Sequence, residues 1–210
     1  MNLQRAASEF WTWFAFNANR ISDLARSEQT GRLDMLLTAR VKAVVPGAVW
    51  EIGPGEGAEF RFVMSPDGSA ERLRRTIAAV DLAPAISGWE FAPAKPPKQW
   101  DFRFSITNRV GQHVSLDAGR WKYMMIGYDG NRFFDVTLVA ENLPALDQAA
   151  RILAASVVVE GMLGERQAIE LVGALDLVDR VGDRDRERLS DIRWLPKHLQ
   201  RLTHGKDEAG

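Results

Sequence analysis

The chain of 210 residues contains no cysteine and only three histidines. Without cysteine it can form no disulfide bond, thiolate metal site or cysteine nucleophile, and its composition is compatible with a reducing cytosol. The histidines His113, His198 and His204 are scattered, and none has a second ligand at metal-binding spacing. The sequence therefore predicts no metal site. It also lacks the glycine-serine-glycine elbow of α/β-hydrolases and the glycine-lysine loop that binds phosphates.

An excess of charge of one sign is also lacking, because 27 basic and 28 acidic residues leave a formal net charge of -1. Proteins that bind phosphate backbones usually carry a basic face, so this balance does not indicate nucleic-acid binding. No apolar run approaches the roughly 20 residues of a membrane-spanning helix. The bulky N-terminal segment 10–14 is followed by polar residues and lacks the cleavage site of a secretory signal. We therefore expect a soluble cytoplasmic protein that binds neither nucleic acid nor a membrane.

Helical periodicity occurs in five segments of the sequence. Apolar residues at this spacing predict helices over 3–26, 31–45, 69–82, 143–163 and 183–203. The third helix follows a turn formed by Ser-Pro-Asp-Gly at 65–68, where proline presets one dihedral angle. We expect Asp67 to cap this helix, and Pro84 to end it.

Alternation of apolar and polar residues predicts strands between these helices. The expected strands cover 49–52, 60–64, 100–107, 121–128, 132–140 and 168–175, and a further one begins at Trp89. The prolines that follow Trp89 cannot donate to a strand ladder, so we expect that strand at the edge of a sheet. Asp129 and Gly130 are typical of a hairpin turn.

The order strand, strand, helix, strand occurs twice, in 48–107 and in 121–175, with little identity between the two copies. This order predicts an α+β fold, a two-layer sandwich with a mostly antiparallel sheet built from the two units. Helices would cover one face of the sheet, with extra helices at both ends of the chain. The predicted organisation is an N-terminal helical segment (1–47), the α+β core (48–182), and a C-terminal helix with a frayed tail (183–210), all in one structural domain.

One segment resembles a cofactor-binding motif. Glu51 and the glycines Gly53, Gly55 and Gly57 match the glycine-rich first motif of S-adenosylmethionine-dependent methyltransferases, in which a strand ends at an acidic residue. In such enzymes a helix follows the glycines at once. Here an alternating segment over 60–64 follows, which favours a hairpin loop whose glycines serve a tight turn. A methyltransferase that holds its cofactor on these three glycines remains the enzymatic alternative.

Two further sets of residues are candidates for binding. Three acidic residues on predicted strands, Glu51, Glu90 and Glu170, could converge as general acid and base. A small ligand between sheet and helices could have Glu51 or Glu90 as its polar anchor. The segment from Trp89 to Trp100 combines aromatic residues, stiff prolines, and the cations Lys95 and Lys98, a composition that suits protein recognition. The alternative interpretation is a strand exit whose tryptophans belong to the core and whose lysines protect an exposed edge.

Several short motifs resemble those of a group of small bacterial proteins of unassigned function. They are Ser-Pro-Asp-Gly at 65–68, Ala-Pro at 83–84, Gly-Trp-Glu-Phe at 88–91, Lys-Pro-Pro-Lys at 95–98 and Leu-Gly-Glu at 163–165. These are turn, cap and strand-exit residues, so the resemblance implies a shared fold. It implies no cofactor and no catalytic residues.

The leading hypothesis is a non-catalytic protein-binding or regulatory module without a cofactor. Its partner would bind the edge marked by Trp89, Lys95, Lys98 and Trp100, or the exposed face of the sheet. The alternatives are the methyltransferase and a protein that binds a small ligand between sheet and helices. An open sheet edge would also permit a homodimer.

Overall fold

The structure is a computed structural model that describes residues 2–141, 143–144 and 146–204. The chain divides into two compact units, Met1–Lys95 (unit 1) and Pro96–Gly210 (unit 2). Both units combine helices with small sheets, which confirms the predicted α+β class. Among the described residues, no helix has the length and apolar character needed to cross a bilayer. The frayed tail expected over 205–210 lies outside the described residues.

Unit 1 begins with two helices and continues with a three-stranded sheet. Its elements are α1 (Leu3–Arg26), α2 (Thr30–Val44), β1 (Val49–Pro54), β2 (Phe60–Ser65), α3 (Ala70–Val80) and β3 (Trp89–Ala92). β2 is the central strand, antiparallel to β1 and parallel to β3. The segment 60–64 is therefore extended and pairs back on β1, as the alternating pattern predicts, and β3 lies at an edge as expected.

The core of unit 1 is aromatic. Alternate residues of the three strands contribute one apolar face, and α1 packs Phe10, Trp11 and Phe14 against it. Phe14 is fully buried, with its ring centroid 5.2 Å from that of Phe62. The Trp11 Nε1–H donates to the carbonyl of Ala79 in α3 at 2.7 Å, which satisfies the one polar atom of a buried indole. The helical spacing of these aromatics thus reflects core packing.

The cap of α3 differs from the prediction. Ser69 is the N-cap, since it has extended backbone angles and its side chain accepts a hydrogen bond from the Arg72 N–H. Asp67 lies two residues earlier in a left-handed conformation, with φ of 50°. Its position within the turn leaves Ser69 as the residue that meets the free N–H groups of the first helical turn.

Unit 2 consists of a hairpin, a four-stranded sheet and four helices, among the described residues. Its elements are β4 (Arg103–Thr107), β5 (His113–Asp117), β6 (Lys122–Tyr128), β7 (Phe133–Val139), α4 (Gln148–Leu163), α5 (Glu165–Leu171), β8 (Val172–Val178), α6 (Asp183–Arg186), β9 (Ser190–Asp191) and α7 (Leu195–His204), with a 3₁₀ turn at Ile192–Trp194. β4 and β5 form their own antiparallel sheet, and the larger sheet has the order β8-β7-β6-β9.

The predicted repetition of strand order is present in both units. In each, an antiparallel pair is followed by helix and then by a strand parallel to the second member of the pair: β1-β2-α3-β3 in unit 1 and β6-β7-α4-α5-β8 in unit 2. The middle strand is β2 in one case and β7 in the other. Asp129 and Gly130 lie in the four-residue hairpin loop 129–132 between β6 and β7, where φ is positive at Asp129, Gly130 and Asn131.

Three boundaries in unit 2 differ from the sequence-based expectations. The strand expected from 100 begins only at Arg103, because Phe102 has a left-handed φ of 66°. The strand expected over 168–175 is helical up to Leu171 and extended only from Val172. A short apolar run fits either period, so the sequence cannot separate these states. The C-terminal helix expected over 183–203 is interrupted by β9 and the 3₁₀ turn, and α7 contains its last part.

Candidate functional site

The glycine-rich loop of unit 1 is folded around the carboxylate of Glu90. This carboxylate accepts hydrogen bonds from the backbone N–H groups of Glu56, at 3.0 Å, and of Gly57. Arg61 donates to the same carboxylate from Nε at 3.1 Å and from Nη2 at 3.0 Å. A third Arg61 contact, also from Nη2, reaches the carboxylate of Glu56 at 3.0 Å. The N–H groups of Glu56 and Gly57 in this loop therefore already bind an anion, which is the chain's own Glu90 carboxylate.

One of the three glycines, Gly55, is required by this arrangement, and a second, Gly57, is closely packed in it. A Cβ atom added to Gly55 would lie 2.5 Å from the carbonyl oxygen of Ala58, and one added to Gly57 would lie 3.3 Å from a carboxylate oxygen of Glu90. Gly53 has no heavy atom within 4 Å of its Cβ position. Gly55 and Gly57 thus allow the close approach of the chain's own backbone and side chain.

These contacts correct the methyltransferase interpretation of Gly53, Gly55 and Gly57. That interpretation needs a helix directly after the glycines, and β2 occupies this place. It also needs loop N–H groups that are free to meet a cofactor, whereas two of them bind Glu90. Glu90 is therefore a structural anchor of the loop in this structure, instead of an anchor for a ligand.

The hydrogen bonds to Glu90 predict a pH dependence of stability. The backbone N–H groups of Gly57 and Glu56, followed by Arg61, hold the pKa of the Glu90 carboxyl below its ordinary value of 4.5. A carboxyl whose pKa is lower in the folded chain than in the unfolded chain stabilises the fold at pH values above its unfolded-state pKa. This contribution is lost as pH falls through the folded-state pKa. We expect Glu90→Gln to destabilise unit 1 at pH 7 and to differ little from wild type near pH 2, as measured by urea unfolding.

Glu51→Gln is the matched control for this prediction, because Glu51 lies on the other edge strand and forms no ion pair within the part of the chain that the structure describes. Its stability difference from wild type should be small at both pH values. A Glu90→Gln defect of equal size at pH 7 and pH 2 would show that the charge of this carboxylate does not stabilise the loop.

The residues proposed as an aromatic recognition edge are not exposed together. Trp89 is only 7% exposed and belongs to the core of unit 1. Trp100 is half-buried in unit 2, where it packs against Phe102 with a centroid distance of 5.4 Å. Lys95 is half-buried, and Lys98 is exposed. The structure therefore corrects the proposal that both tryptophans are partner contacts, since both contribute to packing.

The other titratable candidates do not converge. Glu170 lies on α5 and pairs with Arg166 at 3.1 Å, and Glu51 and Glu90 lie on opposite edge strands of unit 1 with β2 between them. His113 begins β5, and His198 contacts the hydroxyl of Tyr123, whose pKa burial raises to about 12. The described residues contain no group of three or more potential metal ligands.

A groove lies beside β1 in unit 1. It has a volume of about 590 Å³ and runs between the edge strand β1 and the turn that joins α1 to α2. Five consecutive residues of β1, from 50 to 54, line one side. Its remaining lining residues are Ala25, Glu28, Thr30, Leu33, Glu59 and Phe60. A volume between about 300 and 1,000 Å³ is typical of ligand sites in proteins.

The groove is apolar inside and acidic at its polar positions. Trp50, Ile52 and Phe60 point apolar surface into it, and Trp50 is fixed by a 2.8 Å hydrogen bond from its Nε1–H to the Thr38 hydroxyl. The ionisable residues that line it are Glu28, Glu51 and Glu59, with no lysine or arginine among the described lining residues. The groove can therefore bind an apolar group that carries a positive charge.

The strand that lines the groove has an unpaired edge. β2 occupies one side of β1, and no strand pairs with its other side among the described residues. Such an edge presents backbone N–H and C=O groups that can pair with an extended chain. Pro54 ends this ladder, because proline has no N–H to donate.

Sequence reasoning found only part of this groove. It identified Glu51 as a possible ligand anchor and Gly53 as a loop residue, and both line the groove. It missed Glu28 and Leu33, which come from the turn after α1 and the start of α2. The available signal was Glu28 itself, an acidic residue between two helices where a glycine would be expected.

Comparison of this chain with protein-family models, with curated proteins and with solved structures finds no match.

Proposed function

We propose that this chain is a non-catalytic protein-binding module, and that its partner adds an extended segment to the free edge of β1. The observation that carries the proposal is the coincidence of an unpaired strand edge with an apolar groove that borders five residues of the same strand. Either feature alone is common. Together they provide main-chain hydrogen bonds for affinity and a pocket for side chains of the added segment.

The geometry of a strand determines which side chains of the partner segment this chain would recognise. Successive side chains of an extended chain point to opposite faces, so every second side chain of the partner would enter the groove. The walls that meet them come from Ala25 and Leu33 on the helical side and from Ile52 on the strand. Contacts with the α1–α2 turn would thus select the side chains of the partner segment. Hydrogen bonds with β1 would fix the register of its main chain.

This proposal moves the partner site from the Trp89–Trp100 segment to β1, since Trp89 is buried. We keep, as part of the proposal, a cytoplasmic location and membership of the group of small bacterial proteins with the motifs at 65–68, 88–91 and 95–98. Nucleic acid and membranes do not enter it.

Selection from a library of eight-residue peptides tests the proposal. The library alternates β-branched residues with mixed residues, and peptides that bind the wild-type chain are resynthesised with N-methyl groups on alternate residues. Methylation of the residues that face β1 removes about three hydrogen bonds of about 1 kcal/mol each, so affinity should fall roughly 100-fold. Methylation of the other residues should have little effect.

The two methylated series are each other's control, because they have the same composition and differ only in which backbone edge is blocked. Equal affinity of both series would show that main-chain pairing is not used. A library that yields no binding peptide would also count against the proposal.

A small-molecule ligand is the second candidate function, favoured by the groove volume of about 590 Å³ and by Glu51 at its rim. A compact amine with an aromatic or aliphatic body would suit the lining. Such a ligand would raise the thermal stability of the chain without any dependence on backbone N–H groups, whereas peptide binding depends on them.

A further inference from the structure

We infer that the partner segment carries a lysine or arginine, whose aliphatic stem lies in the β1 groove and whose charge meets Glu28 and Glu51. This inference rests on the proposed function and names the chemistry of the partner. It depends on three features of the groove, which are its apolar walls, the sign of its charges, and the backbone conformation of one residue.

The walls match the stem of a long cationic side chain. Lysine and arginine bury three or four methylene groups along apolar surface while the charged end stays near water. The groove is lined by the partly buried Trp50, Ile52 and Phe60 and by the exposed residues Glu28 and Glu51. A purely apolar side chain would contact the apolar residues and leave the carboxylates without a partner.

The charges of the groove favour a cation. Glu59 is already engaged by Arg26, whose Nε and Nη2 atoms contact the two carboxylate oxygens at 2.6 and 2.7 Å. Glu28 and Glu51 form no ion pair with any residue of the described ranges, and both line the groove. Two uncompensated carboxylates therefore remain in the lining of the groove. A partner cation would complete this arrangement, and an acidic segment would be repelled.

The backbone at Glu28 is unusual for an acidic residue. α1 ends in a turn in which the N–H of Glu28 donates to Ala25 and the N–H of Gln29 donates to Leu24, at 3.1 and 3.0 Å. This is the hydrogen-bond pattern of a Schellman motif, in which glycine is preferred at the position of Glu28 because φ is positive. Glu28 has φ of 53°. The most stable residue at this position would be glycine, so the carboxylate is present at a cost in stability.

A second pocket differs from the groove in the charges of its lining. It lies in unit 2, has a volume of about 490 Å³, and is lined by charges of both signs, Asp117 and Glu141 with Arg120 and Lys122. Mixed charges give no preference for a cation. A second copy of the chain is disfavoured at β1, because pairing through this edge would bring two sets of Glu28 and Glu51 together.

The experiment uses the intact chain and two peptide libraries that differ at one fixed position. One library has lysine there and the other has norleucine, which keeps the stem and removes the charge, and both have mixtures of Val, Thr, Ile and Leu at the flanking positions. Fluorescence anisotropy should show roughly 10-fold tighter binding of the lysine library at low salt, with the difference shrinking at high salt.

Three variants locate the charge effect. Glu28→Gln and Glu51→Gln should each reduce the preference for lysine, and Glu28→Gly should reduce it while it raises the melting temperature. Glu71→Gln is the control, because Glu71 is an exposed carboxylate of α3 that does not line the groove. It removes one negative charge from unit 1 and should leave the preference unchanged.

The outcomes separate this inference from the proposed function. Equal binding of both libraries, or an equal loss of preference in Glu71→Gln, would overturn the cationic partner and leave the strand-edge site intact. Failure of both libraries to bind would overturn both claims. A dimer that forms without peptide and dissociates when β1 is substituted would identify a second copy as the occupant and would also overturn the inference.

Discussion

Replacing Phe14 by alanine is expected to lower the free energy of unfolding of unit 1 by about 3–5 kcal/mol, the range for truncation of a buried aromatic side chain. Phe14 has no exposed surface. Its ring centroid lies 5.1 Å from that of Trp89, 5.2 Å from that of Phe62 and 5.4 Å from that of Phe91. The substitution therefore removes ring contacts that join α1 to β2 and β3, and leaves a cavity among these rings.

Phe16→Ala is the matched control, because Phe16 lies two residues further along α1 and is 91% exposed. Its effect should stay within about 0.5 kcal/mol. The effect of both variants is measured by hydrogen exchange of the backbone amides of α1 and β2 in the intact chain. This measurement does not assume that the two units unfold together. Similar losses of protection in the two variants would show that the aromatic face of α1 is not the core of unit 1.

Replacing Gly55 by alanine is expected to destabilise unit 1 by about 1–3 kcal/mol, as overpacking does elsewhere. The new Cβ would lie 2.5 Å from the Ala58 carbonyl oxygen and 3.2 Å from Cδ of Glu90. The obstacle at 2.5 Å is backbone, which cannot move aside as the end of a flexible side chain can. The loop must therefore open, and the hydrogen bonds from Glu56 and Gly57 to Glu90 are expected to weaken with it.

Gly53→Ala is the control for this substitution. Gly53 lies in β1 of the same loop region, and its Cβ position has no heavy atom within 4 Å. The variant should match wild type or gain a few tenths of a kcal/mol from a less flexible unfolded chain. Urea unfolding of both variants measures the contrast. Equal stability of the two would contradict the close approach at Gly55.

Much of the fold could be predicted from the sequence, because periodicity records which side chains are buried. The spacing of Phe10, Phe14 and Ile21 predicts α1, and the alternation over 60–64 predicts the strand that excludes a helix after the glycines. The order of strands and helices also shows the repeated unit, since it requires only the type of each element. Boundaries such as Val172, where period and composition are ambiguous, could not be placed.

The candidate site was harder to predict, because it is formed by residues that are distant in the sequence. Glu28 and Leu33 meet Trp50 and Phe60 only once the helices have packed on the sheet. Trp89 illustrates the opposite error, since its proline-rich surroundings resemble an exposed recognition segment, whereas its register opposite Phe60 places it in the core. Neither fact follows from local composition, which carries no information about tertiary contacts.

Amide hydrogen exchange of the intact chain, with and without a peptide selected for binding, tests the central claim most directly. A partner strand that pairs with β1 should slow exchange at alternate residues between Val49 and Gly53, and should leave the other edge strand, β3, unchanged. Saturating peptide with no change in β1, or with new protection at β3 or in unit 2 alone, would contradict binding at the β1 edge.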